Sequence, residues 1–354
     1  MKIVKVSIVG CGRISNHYKD ILISNKIKNF KVVATCDLKS EQAIRMSTFF
    51  NCPHYTSLKE MINKIKIDLI LLLTPSGLHF QNSKYILKNK INLLIEKPTS
   101  FFPKEIKTLD NLAKKNNLIA ATAYQNRYNP SIQFLKKCIE EKKFGKIVTA
   151  SVRLRWCRYN SYYEDDWHGK WKMDGGVTNQ QAIHHLDCLD WLIGPVKKVV
   201  SLGTKRINKL EAEDTLVAIG EFKQGGLFTV EVTTAARPRD FEASLSIVGE
   251  KGLIEIGGIG LNKIEKCEFV DKKIKFNEIK KLYSEKIKNG YGLSHIILLK
   301  KIITNIINKN ISSPVPIDST IRTCELINAI YKSNETKKWI NVNNKNISTK
   351  LGRC

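Results

Sequence analysis

Ile3-Val4-Lys5-Val6-Ser7-Ile8-Val9-Gly10-Cys11-Gly12-Arg13-Ile14-Ser15 opens the chain with an apolar run that breaks at two glycines and resumes with helical spacing. A strand-like run, a Gly-x-Gly turn and a helix start form the first strand, turn and helix of a doubly wound nucleotide-binding sheet. The glycines let the backbone approach a pyrophosphate, and the open N–H groups of the helix favour its negative charge. Ser15 stands where a third fingerprint glycine is usual, so the pattern alone is imperfect. Position strengthens it. The next apolar run, Lys31 to Cys36, ends at Asp37, where a carboxylate can accept hydrogen bonds from an adenosine ribose and repel a 2′-phosphate. The expected cofactor is therefore NAD rather than NADP, with Gly10, Gly12, Arg13, Ile14 and Asp37 around it. Asp37 could equally cap the following helix, and Lys39 would soften the preference for NAD.

Outward from this turn, apolar runs at Leu69 to Leu73, Asn92 to Ile95 and Ile119 to Thr122 alternate with helical spacings at Gln42 to Phe50, Leu58 to Ile65 and Gln81 to Lys88. That alternation builds a parallel sheet. Ligands of such sheets lie outside the carboxyl ends of the strands, so the residues following each run are the candidates. After the third run come Thr74, Pro75 and His79, which either line the cofactor or simply start the next helix. After the fourth come Glu96-Lys97-Pro98, a strand end with a turn proline whose lysine faces the ligand edge.

From about Lys146 the pattern changes to longer strands rich in Thr, Val and Gly: Ile147 to Arg155, Thr215 to Phe222, Leu227 to Thr234, Phe241 to Gly249 and Leu253 to Gly257. Their period of two predicts a largely antiparallel sheet. The expected fold is thus α/β, an N-terminal Rossmann doubly wound parallel sheet over residues 1–122 followed by a C-terminal α+β domain with a large open, mostly antiparallel sheet over residues 123–342. Ser294 to Ile307 and Ile321 to Lys332 read as helices, the second packing back on the first domain, with a frayed polar tail at 343–354.

The formal charge of +26 invites a nucleic-acid or membrane reading. The excess is mostly Lys spread along the whole chain beside Ile and Asn, not Arg-rich patches interleaved with aromatics, so neither partner is expected. Anionic small substrates remain favoured by the net field. Nine cysteines without a Cys-x-x-Cys pair indicate free thiols rather than disulfides or a zinc site, and no metal is expected. No apolar stretch reaches the roughly 20 residues of a bilayer span. Met1-Lys2 leads straight into the strand pattern without signal-peptide architecture, which predicts the cytoplasm.

The segment Trp167-His168-Gly169-Lys170-Trp171 leads through Gly175-Gly176 into Val177-Thr178-Asn179-Gln180-Gln181-Ala182-Ile183-His184-His185-Leu186-Asp187. Helical from about Asn179, it places Gln180, His184 and Asp187 on one face. An imidazole there can act as general base, because its proton affinity lies near neutral pH. Adjacent residues on a helix diverge, so His185 is expected to be structural and the pair not to bind metal.

The Gly10-Cys11-Gly12-Arg13-Ile14 turn, Glu96-Lys97-Pro98, Gln125-Asn126-Arg127-Tyr128-Asn129-Pro130 and the Gly175 to Asp187 segment together resemble the Gfo/Idh/MocA oxidoreductases in order and spacing, over nearly the whole chain. The resemblance implies a Rossmann domain for a nicotinamide cofactor, with Glu96, Lys97 and Gln125 among its contacts, and a second domain that binds sugar and forms a homodimer or homotetramer. Lys97 and His184 match the family's active-site lysine and histidine. The inositol and glucose dehydrogenases carry an Asp four residues before that histidine, where this chain has Gln180. A neutral amide can orient a hydroxyl but cannot accept a full proton. The segment resembles more closely the branch that oxidises nucleotide-linked sugars at C3, typified by UDP-N-acetylglucosaminuronate 3-dehydrogenases. Lys97, His184 and Gln180 are then the catalytic candidates, and Arg127, Tyr128, Arg158, Tyr163, Trp167, Gln181 and the three catalytic residues the substrate candidates.

Arg153, Arg155, Arg158, Arg237 and Arg239 are either partners for phosphate and carboxylate or solvated strand faces. Two rival functions stay open. One is a dehydrogenase of a free sugar or cyclitol, and the other a non-catalytic NAD sensor that would tolerate loss of Lys97 and His184.

Overall fold

The computed structural model describes residues 2–271 and 275–353; Met1 and the ninth cysteine, Cys354, lie outside them. Two compact units emerge, one of residues 1–124 with 295–321, the other of 125–294 with 322–354.

In the first unit, β1 (Val4–Val9), β2 (Phe30–Cys36), β3 (His54–Tyr55), β4 (Leu69–Leu72), β5 (Asn92–Ile95) and β6 (Ala120–Thr122) form one sheet in the order β3-β2-β1-β4-β5-β6. Every pairing is parallel. β4 is buried at all four residues, as expected of a strand covered on both faces, and Ile70 and Leu72 join a core with Ile86, Leu87, Leu109 and Ile317. The order reverses between β1 and β4, and that switch point is where such sheets open a ligand crevice. The segment Ser313–Pro316 runs beside β6: Thr122 N donates to Val315 O at 3.0 Å and Ser313 Oγ to Ala120 O at 2.6 Å, which covers the edge strand.

The second unit holds an eight-stranded sheet of β7 (Ile147–Arg155), β8 (Val196–Thr204), β9 (Thr215–Phe222), β10 (Leu227–Thr233), β11 (Glu242–Gly249), β12 (Gly252–Gly257), β13 (Lys263–Phe269) and β14 (Ile340–Asn341), ordered β13-β12-β11-β7-β10-β9-β8-β14. All its pairings are antiparallel except β7 with β10. In β9, Leu216, Ala218, Gly220 and Phe222 are buried, whereas Val217 and Ile219 between them are exposed, so one face packs and the other stays open. β8 and β13 had no clear sequence signal, since lysines interrupt their apolar alternation.

Two expectations need correcting. The helix Ile321–Thr336 groups with the second unit except for its first residue, because Ser201 in β8 bonds Ser333 Oγ and Ile330 O, and Tyr331 donates to Glu213 Oε1 at 3.0 Å. The part of the chain that returns to the first unit is one helix earlier. The tail after Val342 does not fray. Ser348 and Leu351 are fully buried, and Ser348 N donates to Asn328 Oδ1 at 3.1 Å.

Candidate active site

The cofactor turn follows from backbone crowding at the switch point. Gly10 adopts φ +91°, and a Cβ there would lie 2.5 Å from the carbonyl carbon of Leu73, the residue after β4. Only glycine fits. Gly12 precedes α1 (Arg13–Ile23), which has no side-chain cap and no acid in its first turn. Its N–H groups therefore remain available to an anion. Ser15 replaces the third glycine without penalty: it is fully buried and its hydroxyl donates to Gly12 O at 2.6 Å.

Asp37 follows β2 and does not cap the next helix, whose N-cap position is Lys39 without a side-chain cap. Its carboxylate accepts Lys39 N at 2.8 Å ahead of α2 (Ser40–Phe50) and Cys11 N at 2.7 Å, tying the glycine turn to β2. Arg45, on α2, reaches back to Cys11 O at 3.0 Å. It was not legible in the sequence, since an arginine in mid-helix carries no local signal. Gly12, Arg13, Asn16, Glu41, Gln42 and Arg45 line a hollow of about 420 Å³. Ile14, partly buried on the first turn of α1, is outside that lining.

These residues fit a dinucleotide. A Cβ at Gly12 would meet nothing within 4 Å, which leaves room for a passing pyrophosphate. Thr74 Oγ1 is buried after β4 with no hydrogen-bond partner among the described residues, as a group awaiting a ligand would be. Pro75 follows it, partly exposed. His79 is different: it is 1 % exposed, and its Nδ1 and Nε2 lie 2.6 Å from Pro98 O and 2.8 Å from Thr74 O. Both nitrogens are engaged in holding the loop after β4 to the loop after β5. His79 thus shapes the site rather than reaching into it.

Lys97 follows β5, partly exposed, and the Lys97-Pro98 bond is cis. Glu96 beneath it is 7 % exposed; its carboxylate accepts Tyr18 Oη at 2.8 Å and Lys97 N at 3.2 Å, with His295 Nε2 3.7 Å away. Burial by itself would raise the Glu96 pKa. The His295 ring, the Lys97 ammonium and the Tyr18 hydroxyl outweigh it and bring it down to about 2. Glu96 therefore positions the backbone of Lys97, its oxygens being spent on neighbours. His17, whose Nε2 lies 3.3 Å from His295 Nδ1, falls to about 4 through burial and then the charge of His295.

In the second unit the helix expected from Asn179 is interrupted. Val177–Gln180 is a single turn, Ala182 N reaches back to Val177 O at 2.8 Å, and the helix restarts as Ile183–Ile193. Gln180 and His184 therefore belong to different helical pieces, and Asp187 does not join them. It is 1 % exposed and takes a bidentate pair from Arg127, Nε to Oδ2 at 2.8 Å and Nη2 to Oδ1 at 2.7 Å, plus Thr323 Oγ1 at 2.8 Å. Arg127, expected at the substrate, is instead the buried counter-ion of the helix that carries His184. Its neighbour Tyr128 is half-buried, which raises its pKa. Gln125, 2 % exposed, has an Oε1 with no partner among the described residues. His185 is 1 % exposed and pushed down to about 4 by burial. It behaves as a neutral core side chain.

Gln181 Nε2 donates to Tyr162 Oη at 3.4 Å, while its Oε1 is buried without a partner among the described residues. Tyr162 meets Tyr163 and His168 at ring distances of 5.0 and 4.4 Å, and Trp167 stacks on His168 at 3.7 Å. The expected arginines are mostly neutralised. Arg155 binds Glu231 and Glu242, Arg153 lies 3.7 Å from Glu242, and Arg158 pairs with Asp240 at 3.0 Å. Arg237 donates to Asn208 Oδ1 at 2.8 Å.

Known protein families match most of the chain. One family model, described as an oxidoreductase family NAD-binding Rossmann fold, matches residues 4–124, and a second, described as an oxidoreductase family C-terminal alpha/beta domain, matches residues 136–342. The WlbA dehydrogenase of Bordetella pertussis, solved with NADH and UDP-GlcNAcA, superposes with a TM-score of 0.89 at 28% identity over 97% of this chain and 98% of that one. The WlbA dehydrogenase of Chromobacterium violaceum, solved with the same two ligands, gives 0.89 at 28% identity over 97% of each chain. The D-glucoside 3-dehydrogenase of Escherichia coli is 22% identical over 70% of this chain and 75% of its own. Among the described residues no helix is long and apolar enough to cross a membrane.

Proposed function

The chain belongs to the Gfo/Idh/MocA oxidoreductase family, and from that premise we propose that it oxidises a ring hydroxyl, at C3, of a nucleotide-linked sugar such as UDP-N-acetylglucosaminuronate, in surface-polysaccharide biosynthesis. The observation that carries this reading is the likeness, over 97% of the chain, to two dehydrogenases solved with NADH and UDP-GlcNAcA. Gln180 in place of an acid adds to it.

Gly10, Gly12, Arg13, Ile14, Asp37, Thr74 and Pro75 would hold NAD, which would supply the hydride acceptor. His184 takes the hydroxyl proton, as an imidazole can at neutral pH. Lys97 positions and polarises the same oxygen, with its own backbone fixed by Glu96. Gln180 orients that hydroxyl or the next one and accepts no proton. Gln181, Tyr163 and Trp167 contact the sugar nucleotide, and no step needs a metal.

The test is NAD reduction by the purified protein with a panel of UDP-linked and free sugars, the product identified by mass spectrometry. A uronate sugar nucleotide should give a 3-keto product lighter by two hydrogens, and Lys97→Ala should lower kcat while NAD binding persists. The D-glucoside 3-dehydrogenase likeness favours a second reading, a free glycoside as substrate. Turnover of free sugars alone would select it.

A further inference from the structure

The second unit contains a basic hollow that the sequence did not single out. It has a volume of about 530 Å³ and is lined by Tyr163, His168, Lys170, Lys205, Arg206 and Lys209, among others. No carboxylate lies within 4.0 Å of the charged ends of those four cations among the described residues. The lining holds one acid, Glu211, whose Oε2 is taken by Trp171 N at 3.2 Å, and the His168 ring is turned onto Asp165. Like charges gathered around one hollow repel each other, and an anion there relieves the repulsion.

The hollow is built, not a chance meeting of surface lysines. Asp214, fully buried, clasps the loop from below by accepting Arg206 N at 3.0 Å, Ile207 N at 2.9 Å and Asn208 N at 2.9 Å. Glu211 N and Ala212 N donate to Gly169 O at 3.1 and 3.0 Å, and Lys209 N to Asn160 Oδ1 at 2.9 Å, which stitches this loop to the aromatic segment. Gly169 has φ +73°, and a Cβ there would lie 2.6 Å from Leu210 Cβ. The hollow also adjoins the candidate substrate residues. Gln181 touches Tyr162, and Tyr162 touches both Tyr163 and His168 of the lining.

We propose that this hollow is the phosphate subsite, in which Lys170, Lys205, Arg206 and Lys209 hold the diphosphate of a nucleoside-diphosphate sugar whose ring lies toward Gln181. The assignment rests on the nucleotide-sugar reading above. Arg206 offers the planar fork that matches a phosphate, and the lysines add mobile point charges.

The experiment compares the wild-type protein with a Lys205→Gln/Arg206→Gln/Lys209→Gln variant and with a control of equal charge change at exposed lysines of the first unit, Lys28→Gln/Lys59→Gln/Lys88→Gln. Initial rates are taken with UDP-N-acetylglucosaminuronate, and UDP is titrated as a competitive inhibitor. The subsite variant should raise the KM for the nucleotide sugar and the inhibition constant of UDP by about tenfold or more, since charge-assisted hydrogen bonds are lost. Its kcat and its KM for NAD should stay within about twofold, and the control should match the wild type. Wild-type turnover of the nucleotide sugar, with KM and UDP inhibition unchanged in the variant, overturns the subsite and leaves the function standing. Wild-type turnover of free sugars alone overturns both.

Discussion

Removing the Arg127 side chain tests the physical reasoning about the helix that carries His184. Arg127 is 5 % exposed and Asp187 1 %, and two hydrogen bonds of 2.8 and 2.7 Å join them. In Arg127→Met the Asp187 carboxylate keeps the Thr323 hydroxyl but loses its counter-ion in a site water does not reach. Breaking a buried pair from one side costs about 3–5 kcal/mol. For a unit of this size each kcal/mol lowers Tm by roughly 2–4 °C, so the loss should be about 6–20 °C. Scanning calorimetry measures it. The double variant Arg127→Met/Asp187→Leu removes the orphaned charge as well, and apolar replacement of a whole buried pair is often neutral, so most of the loss should return. A single-variant cost below about 1 kcal/mol, the value of an exposed pair, would refute the reasoning. So would a double variant as unstable as the sum of its parts.

Three further outcomes follow from the same structure. Gly10→Ala drives a Cβ against the Leu73 carbonyl at a positive φ, so NAD affinity measured by calorimetry should fall at least tenfold; wild-type affinity would show that the turn relaxes at no cost. Three side chains should each cost stability on acidification, in two windows. Between pH 6.5 and about 4 the unfolded chain protonates histidines that the fold keeps neutral at His17 and His185, and below 4.5, toward about 2, it protonates the carboxyl that the fold keeps ionised at Glu96. Asp190 and Glu213, raised to about 6 by burial, oppose the histidine loss in the same window, so urea unfolding across pH compares the wild type with His185→Phe, and a pH dependence between 6.5 and 4 that is unchanged in the variant would contradict the histidine assignment. Finally, Leu202, Val217 and Ile219 stand 66%, 49% and 47% exposed on the open sheet face, with Leu202 paired to Val217. If that face joins copies of the chain, Val217→Glu/Ile219→Lys should reduce the mass found by light scattering to that of a monomer, and an unchanged mass would place the contact elsewhere.

Which features were legible followed from how local their causes are. The parallel sheet was readable because β4 and β5 are short continuous apolar runs ended by Pro and Gly, and the second sheet because residues of β9 alternate in and out. The glycine turn was readable because the need for Gly10 arises within one βα unit, although the clash that enforces it comes from Leu73. Lys97 and Gln181 were singled out by motif alone. Arg127 was misread, and of the two readings of His79 only the helix start holds, because a polar side chain's partner decides its role. Two of those partners, the Pro98 carbonyl and the Asp187 carboxylate, lie 19 and 60 residues away, whereas Thr74 O is five residues from His79.

The sequence by itself determined the layout of this protein: a nucleotide turn after the first strand, a candidate lysine after β5, a candidate histidine on a later helix, and two sheets of different period. Those depend on residue type and on spacing within a few turns of chain. Only the tertiary structure decided which charges are spent and which are available. Arg155 and Arg158 face carboxylates and are neutralised, whereas Lys205, Arg206 and Lys209 gather around a hollow because Asp214 folds their loop. A charge is cancelled or exposed by what lies within a few ångströms, and that neighbourhood is assembled from segments far apart in the chain.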